Sequence, residues 1–91
     1  MKLRWTSKAL SDLTRLYEFL AIVNKPVASR TVRTLTAAAG VLVSNPRIGE
    51  RLDEFSQGEV RRILAGSYEL RYQISEGTIY VLRLWHTREE R

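Results

Sequence analysis

The chain has no cysteine, which excludes a disulfide framework and a thiolate metal site. It has one histidine, His86, and a lone imidazole without a second histidine or a cysteine makes no metal centre. Nothing in the residues implies a cofactor. No apolar run approaches the ~20 residues of a spanning helix, so no membrane association is expected. The opening Met1-Lys-Leu-Arg-Trp5 leads into a polar amphipathic segment, not the apolar stretch of a secretion signal. A reducing, cytoplasmic setting is the expectation. Internal repeats, low-complexity tracts and linkers are also missing. The 91 residues therefore suit one domain, 1–91, with one core.

Lysine is scarce, at three residues against twelve arginines, within a formal net charge of +5. That charge fits ordinary solubility and equally fits an acidic partner such as nucleic acid, a ribosome or an acidic protein. The bias to arginine tips the balance toward a functional basic surface, because a planar guanidinium fork matches phosphate and carboxylate.

Residues 2–5 have the composition of a short first strand, and Thr6 or Ser7 can cap a following helix. Leu10, Leu13, Tyr17 and Leu20 recur at helical spacing, and Leu16 and Val23 widen the stripe. Asn24-Lys-Pro26 breaks the pattern, with proline tolerated at a helix start. Ala28, Val32, Leu35, Ala39 and Leu42 give a second apolar seam, and Ala37, Ala38, Ala39 and Gly40 suggest close approach of a neighbour. Ser44-Asn-Pro46 ends this helix, and the short break between the two predicts an antiparallel helix hairpin. Residues 47–58 show neither period. They predict a loop with a turn of helix, with Ile48, Leu52 and Phe55 tucked inward.

The last third predicts a hairpin with an extra strand. If Glu76-Gly77 is a two-residue loop, Ser75 faces Thr78, Ile74 faces Ile79, Tyr72 faces Val81, Leu70 faces Arg83 and Tyr68 faces Trp85. This set is nearly all apolar and should pack under the helices. Arg83 then needs a sheet-edge position or a carboxylate partner. Glu69, Arg71, Gln73, Tyr80, Leu82, Leu84 and His86 take the other face. A turn at Gly66-Ser67 sets Arg62 opposite Arg71 and Leu64 opposite Glu69. Arg62, Glu69, Arg71 and His86 therefore share the helix-free side, and Arg88 follows close by.

For each of these residues singly, a solvated face with cross-strand Glu–Arg pairs is the plainer account. Together they hold the groups that RNA cleavage needs, namely cations for the phosphorane and His86 or Glu69 to move a proton. Trp5 and Trp85 read as core or rim aromatics, whereas Tyr80 on the open face is the better candidate for stacking on a base. Leu82 and Leu84 in a row on that face suggest an edge covered by a partner.

Trp5-Thr-x-x-Ala9-x-x-Asp12-Leu13, Asn45-Pro46-x-x-Gly49, Val60-Arg61-Arg62, Gly66-x-Tyr68-x-Leu70-x-Tyr72 and Ile79-x-Val81-Leu82-x-x-x-His86-x-Arg88 resemble the RelE/ParE superfamily. Its members are the toxins of bacterial type II toxin–antitoxin modules. The resemblance covers nearly the whole chain. It implies an α+β fold, β-α-α-β-β-β, with an antiparallel sheet curved around a helix hairpin. It also implies one of two activities. RelE-like members cleave messenger RNA on the ribosome without a metal, and ParE-like members poison DNA gyrase.

Arg62 and Arg88 match nuclease positions. Val60 stands where a second basic residue is common, and Glu69 stands where nucleases carry arginine. A further C-terminal aromatic has no counterpart, although some relatives use a histidine near His86. The reversal at Glu69 favours the ParE-like, plasmid-stabilisation branch, in which this chain inhibits gyrase by binding and is not an enzyme. On that reading Arg62, Arg71, Tyr80, His86 and Arg88 are candidates for target contact. Leu13, Tyr17, Leu20, Leu82 and Leu84 are candidates for contact with a cognate antitoxin, whose disordered segment folds on binding. The alternatives are a ribosome-dependent endoribonuclease using Arg62, Glu69, His86 and Arg88, and a non-toxic basic module or decayed toxin.

Overall fold

In the computed structural model the described residues are 1–55 and 58–89, which leaves part of the 47–58 segment outside the description. The elements are β1 (Lys2–Trp5), α1 (Ser7–Val23), α2 (Lys25–Ser44), β2 (Glu50–Arg51), β3 (Glu59–Ala65), β4 (Tyr68–Ser75) and β5 (Thr78–His86). They follow the expected β-α-α-β-β-β order, with β2 as an added short strand where a loop with a helical turn was predicted. Of the residues expected to tuck in there, Leu52 is buried, Phe55 lies at the surface against Arg71, and Ile48 stays exposed.

Thr6 caps α1, accepting from Ala9 N at 3.2 Å while its hydroxyl donates to the Val81 carbonyl at 2.9 Å. The cap thus ties the helix to β5. Asn24 is the entire joint of the hairpin. Its amide donates to Leu20 O, and its side chain accepts from Val27 N at 3.1 Å to start α2. Ala28, Leu35, Ala39 and Leu42 form the buried seam of α2. Of the small residues, only Ala39 is fully buried; Gly40 faces open space, so it does not serve close helix approach.

The sheet has five strands in the order β1-β5-β4-β3-β2. β2 to β5 are antiparallel, as expected, while β1 joins β5 in parallel and makes the sheet mixed. The core packs Ala9, Ala39 and Leu42 of the helices onto Leu70, Tyr72, Ile74, Ile79 and Val81.

Near the hairpin tip the register is the expected one, with Ser75 opposite Thr78, Ile74 opposite Ile79 and Tyr72 opposite Val81. Between Tyr72 and Arg71 it shifts. Arg71 pairs with Arg83, and Leu82 is the extra residue of a β-bulge. Leu70 then faces Leu84 instead of Arg83, and Tyr68 faces His86 instead of Trp85. Because side chains alternate, one inserted residue exchanges the faces of everything beyond it. Leu84 is therefore core, 1% exposed, and not an open-face leucine. Trp85 lies opposite Glu69, and His86 moves to the helix side with Tyr68. The reason is burial. Without the bulge Arg83 would occupy the place under the helices that Leu84 fills.

Candidate functional site

The first half of the site is the open face of β3 and β4. Arg62 and Arg71 stand opposite each other, as the sequence predicted, with Glu69 beside them. The Glu69 carboxylate accepts from Arg62 Nη1 and from Arg71 Nη2, each at 3.2 Å. It is 7% exposed although no helix covers this face. The two arginines close over it, and two aromatic rings flank Arg71 in turn. The Arg71 guanidinium lies 4.9 Å from the Trp85 ring centroid and 5.6 Å from that of Phe55. On its far side Arg62 is gripped by Glu50, with Nε–Oε1 at 2.9 Å. That bond, with the fields of Glu50 and Glu69, raises the already high pKa of Arg62. Tyr80 sits half-buried on the same face, opposite Gln73 and Arg4. Chemically, both guanidiniums are already engaged by carboxylates.

A second arginine pair sits at the β2–β3 end. Glu59 accepts from Arg61 at 2.7 Å and from Arg47 at 3.0 Å. The Arg61 bond is the main cause of a Glu59 pKa below the ordinary carboxylate value. Gly49 is packed so closely here that a Cβ would lie 2.6 Å from the Tyr72 hydroxyl and from Arg62 O. Tyr72 Oη accepts from Gly49 N at 3.0 Å and donates to Pro46 O at 2.8 Å. Burial raises the Tyr72 pKa, so the phenol stays neutral as this tether requires.

The second half of the site is a groove of 610 Å³ on the other side, between α1 and the end of β5 that β1 does not reach. Leu16, Phe19, Leu20 and Leu84 give it an apolar wall, with His86 and Arg88 at the rim. His86 is edge-on to Tyr68 at 5.2 Å, and its Nδ1 accepts from the Arg88 amide at 3.1 Å. The predicted cluster is therefore split. Arg62, Glu69 and Arg71 meet on the open face, whereas His86 and Arg88 belong to the groove.

Leu13, Tyr17 and Leu20 are half-buried on α1, and Leu82 is half-buried at the bulge. Leu84 is part of the groove wall. The most exposed apolar residues of α1 are Phe19, Ile22 and Val23, at 72, 84 and 86%. The sequence reading placed Val23 in the buried stripe and passed over the other two. Their signal is a stripe too wide for one sheet to cover.

Asp12 was also missed as a site residue. It is 4% exposed and takes Arg83 Nε at 2.7 Å, Arg15 Nη2 at 2.6 Å and the Leu84 amide at 3.1 Å. It is the carboxylate partner that Arg83 required. It also satisfies the Leu84 amide, in the stretch of β5 beyond β1.

The family profile described as ParE toxin of type II toxin-antitoxin system, parDE, matches residues 3–91. Toxin RelE2 of Caulobacter vibrioides is 29% identical over 82 residues, which is 90% of this chain and 90% of that one. A solved structure, the chromosomal ParDE TA system from P. aeruginosa, superposes with a TM-score of 0.78 at 24% identity. That match covers 94% of this chain and 95% of the other, and its likeness is one of fold.

Proposed function

We propose that this chain, which belongs to the ParE toxin family of type II toxin–antitoxin systems, inhibits its target by binding and not by cutting RNA. The proposed target is DNA gyrase, in the cytoplasm. The observation that carries this reading is Glu69, whose carboxylate engages both Arg62 and Arg71. Cleavage without a metal needs free cations on the phosphorane and a proton-transfer group at hydrogen-bond reach of the same phosphate. Here the cations are engaged, and His86 lies on the other face of the sheet from them. Glu69, the other group able to move a proton, is tied up between the two arginines.

A toxin of such a module has a cognate antitoxin as its partner. The groove between α1 and β5 is the proposed seat of the antitoxin's apolar segment. An amphipathic helix placed there packs on Phe19 and Leu20, and extended along α1 it reaches Ile22 and Val23. Leu84 serves as floor. Target contact is assigned to Arg62, Arg71 and Tyr80 on the open face, with His86 and Arg88 left to the groove.

The test is gyrase supercoiling of relaxed plasmid with purified chain. The reading expects dose-dependent inhibition that an excess of the cognate antitoxin reverses. Full supercoiling at saturating toxin excludes gyrase as the target.

A further inference from the structure

Arg62 and Arg71 are each fixed by something other than the carboxylate between them. Glu50 holds Arg62 at 2.8 Å, and the rings of Phe55 and Trp85 hold Arg71. We propose that Glu69 is a resident counter-ion filling an anion site built by these two guanidiniums, and that it sets the ligand specificity of the open face by shutting out phosphodiesters.

Glu69 uses one oxygen for each arginine, Oε1 for Arg62 and Oε2 for Arg71. A phosphate presents two non-bridging oxygens in the same way, and guanidinium forks suit it. The anchors outside the site mean that loss of the carboxylate leaves the receptor standing. Arg71 Nε is buried and has no hydrogen-bond partner among the described residues, so a donor remains unused. The Arg62 side chain is 41% accessible and that of Arg71 26%, so a backbone phosphate reaches them from solvent. Two guanidiniums with Glu50 and Glu69 sum to zero charge. Without the Glu69 charge the cluster is cationic, and a site with no net pull on a phosphate becomes an attractive one. This specificity is independent of which protein the toxin inhibits.

The experiment compares wild type with Glu69→Gln, using a labelled short single-stranded DNA in anisotropy titrations and inorganic phosphate in thermal-shift titrations. Glu69→Gln is expected to bind the oligonucleotide at least about tenfold tighter. Its plot of log K against log salt is expected to steepen by ~0.7 for each phosphate engaged. Adding Arg71→Ala to it cancels the gain, and phosphate raises the Tm of the variant but not of wild type. A folded Glu69→Gln protein with wild-type affinity for both probes overturns the proposal. If that variant does not fold in dilute buffer, Glu69→Ala, which leaves space for an anion, is refolded with and without phosphate. Recovery that depends on phosphate supports the site, and equal failure in both overturns it.

Discussion

Asp12 is a single carboxylate doing what a strand partner does elsewhere in the sheet. Burial works against its charge, but the bonds from Arg83, the Leu84 amide and Arg15 outweigh that and hold its pKa below the ordinary 3.8. A depressed folded-state pKa means the unfolded chain binds the proton more tightly. The stabilisation is therefore complete above the ordinary carboxylate value and is lost as pH falls through the lowered one. Asp12→Asn is predicted to lower stability by ~1–3 kcal/mol at neutral pH and to flatten the acid limb of the stability curve. Urea unfolding across the acid range measures both. Arg15 and part of Arg83 are open to solvent, which favours the lower end of that range. Gly49 gives a second test at this scale. Its alanine variant forces a methyl group against the Tyr72 hydroxyl and Arg62 O, and is expected to lose ~1–3 kcal/mol. Tyr72→Phe leaves the Gly49 amide and Pro46 carbonyl without their partner, and should fall by a similar ~1–3 kcal/mol.

Among the elements, β5 decides the site. Its pairing with β4 near the Glu76-Gly77 turn was legible in the sequence, because the turn and the alternation Ile74, Tyr72, Val81 and Ile79 agree. The helix hairpin was legible for the same kind of reason, with Thr6, Asn24 and Pro26 marking its ends. The bulge at Leu82 was not. A bulge changes no composition and breaks no apolar run, since Val-Leu-Arg-Leu-Trp reads as a strand in either register. Its one sequence trace was the misfit of Arg83 on an apolar face, and the partner that resolves it, Asp12, comes from a distant helix. The side on which His86 lies follows from that one residue. Deleting Leu82 should give an unbroken ladder in which Arg83 stays opposite Arg71 and Leu84 stays opposite Leu70, so Leu84 keeps its place in the core. The deletion variant is expected to keep a cooperative transition, read by near-UV circular dichroism on heating, as is Leu82→Ala, which keeps the bulge.

At the scale of the whole molecule, much of the charge is paired off while α1 keeps apolar surface exposed. Asp12, Glu59 and Glu69 each hold two arginines, so much of the arginine excess is engaged within the fold. The apolar excess sits on α1, where Phe19→Asp and Ile22→Asp should change stability by no more than about 0.5 kcal/mol. The same substitutions are expected to weaken antitoxin binding by about 2 kcal/mol or more, measured by titration calorimetry. Binding without cutting is put to the test by running one preparation in two assays, gyrase supercoiling and messenger integrity on translating ribosomes. The account predicts loss of supercoiling with messenger intact. Messenger cleavage that disappears in Arg62→Ala or His86→Ala would contradict it.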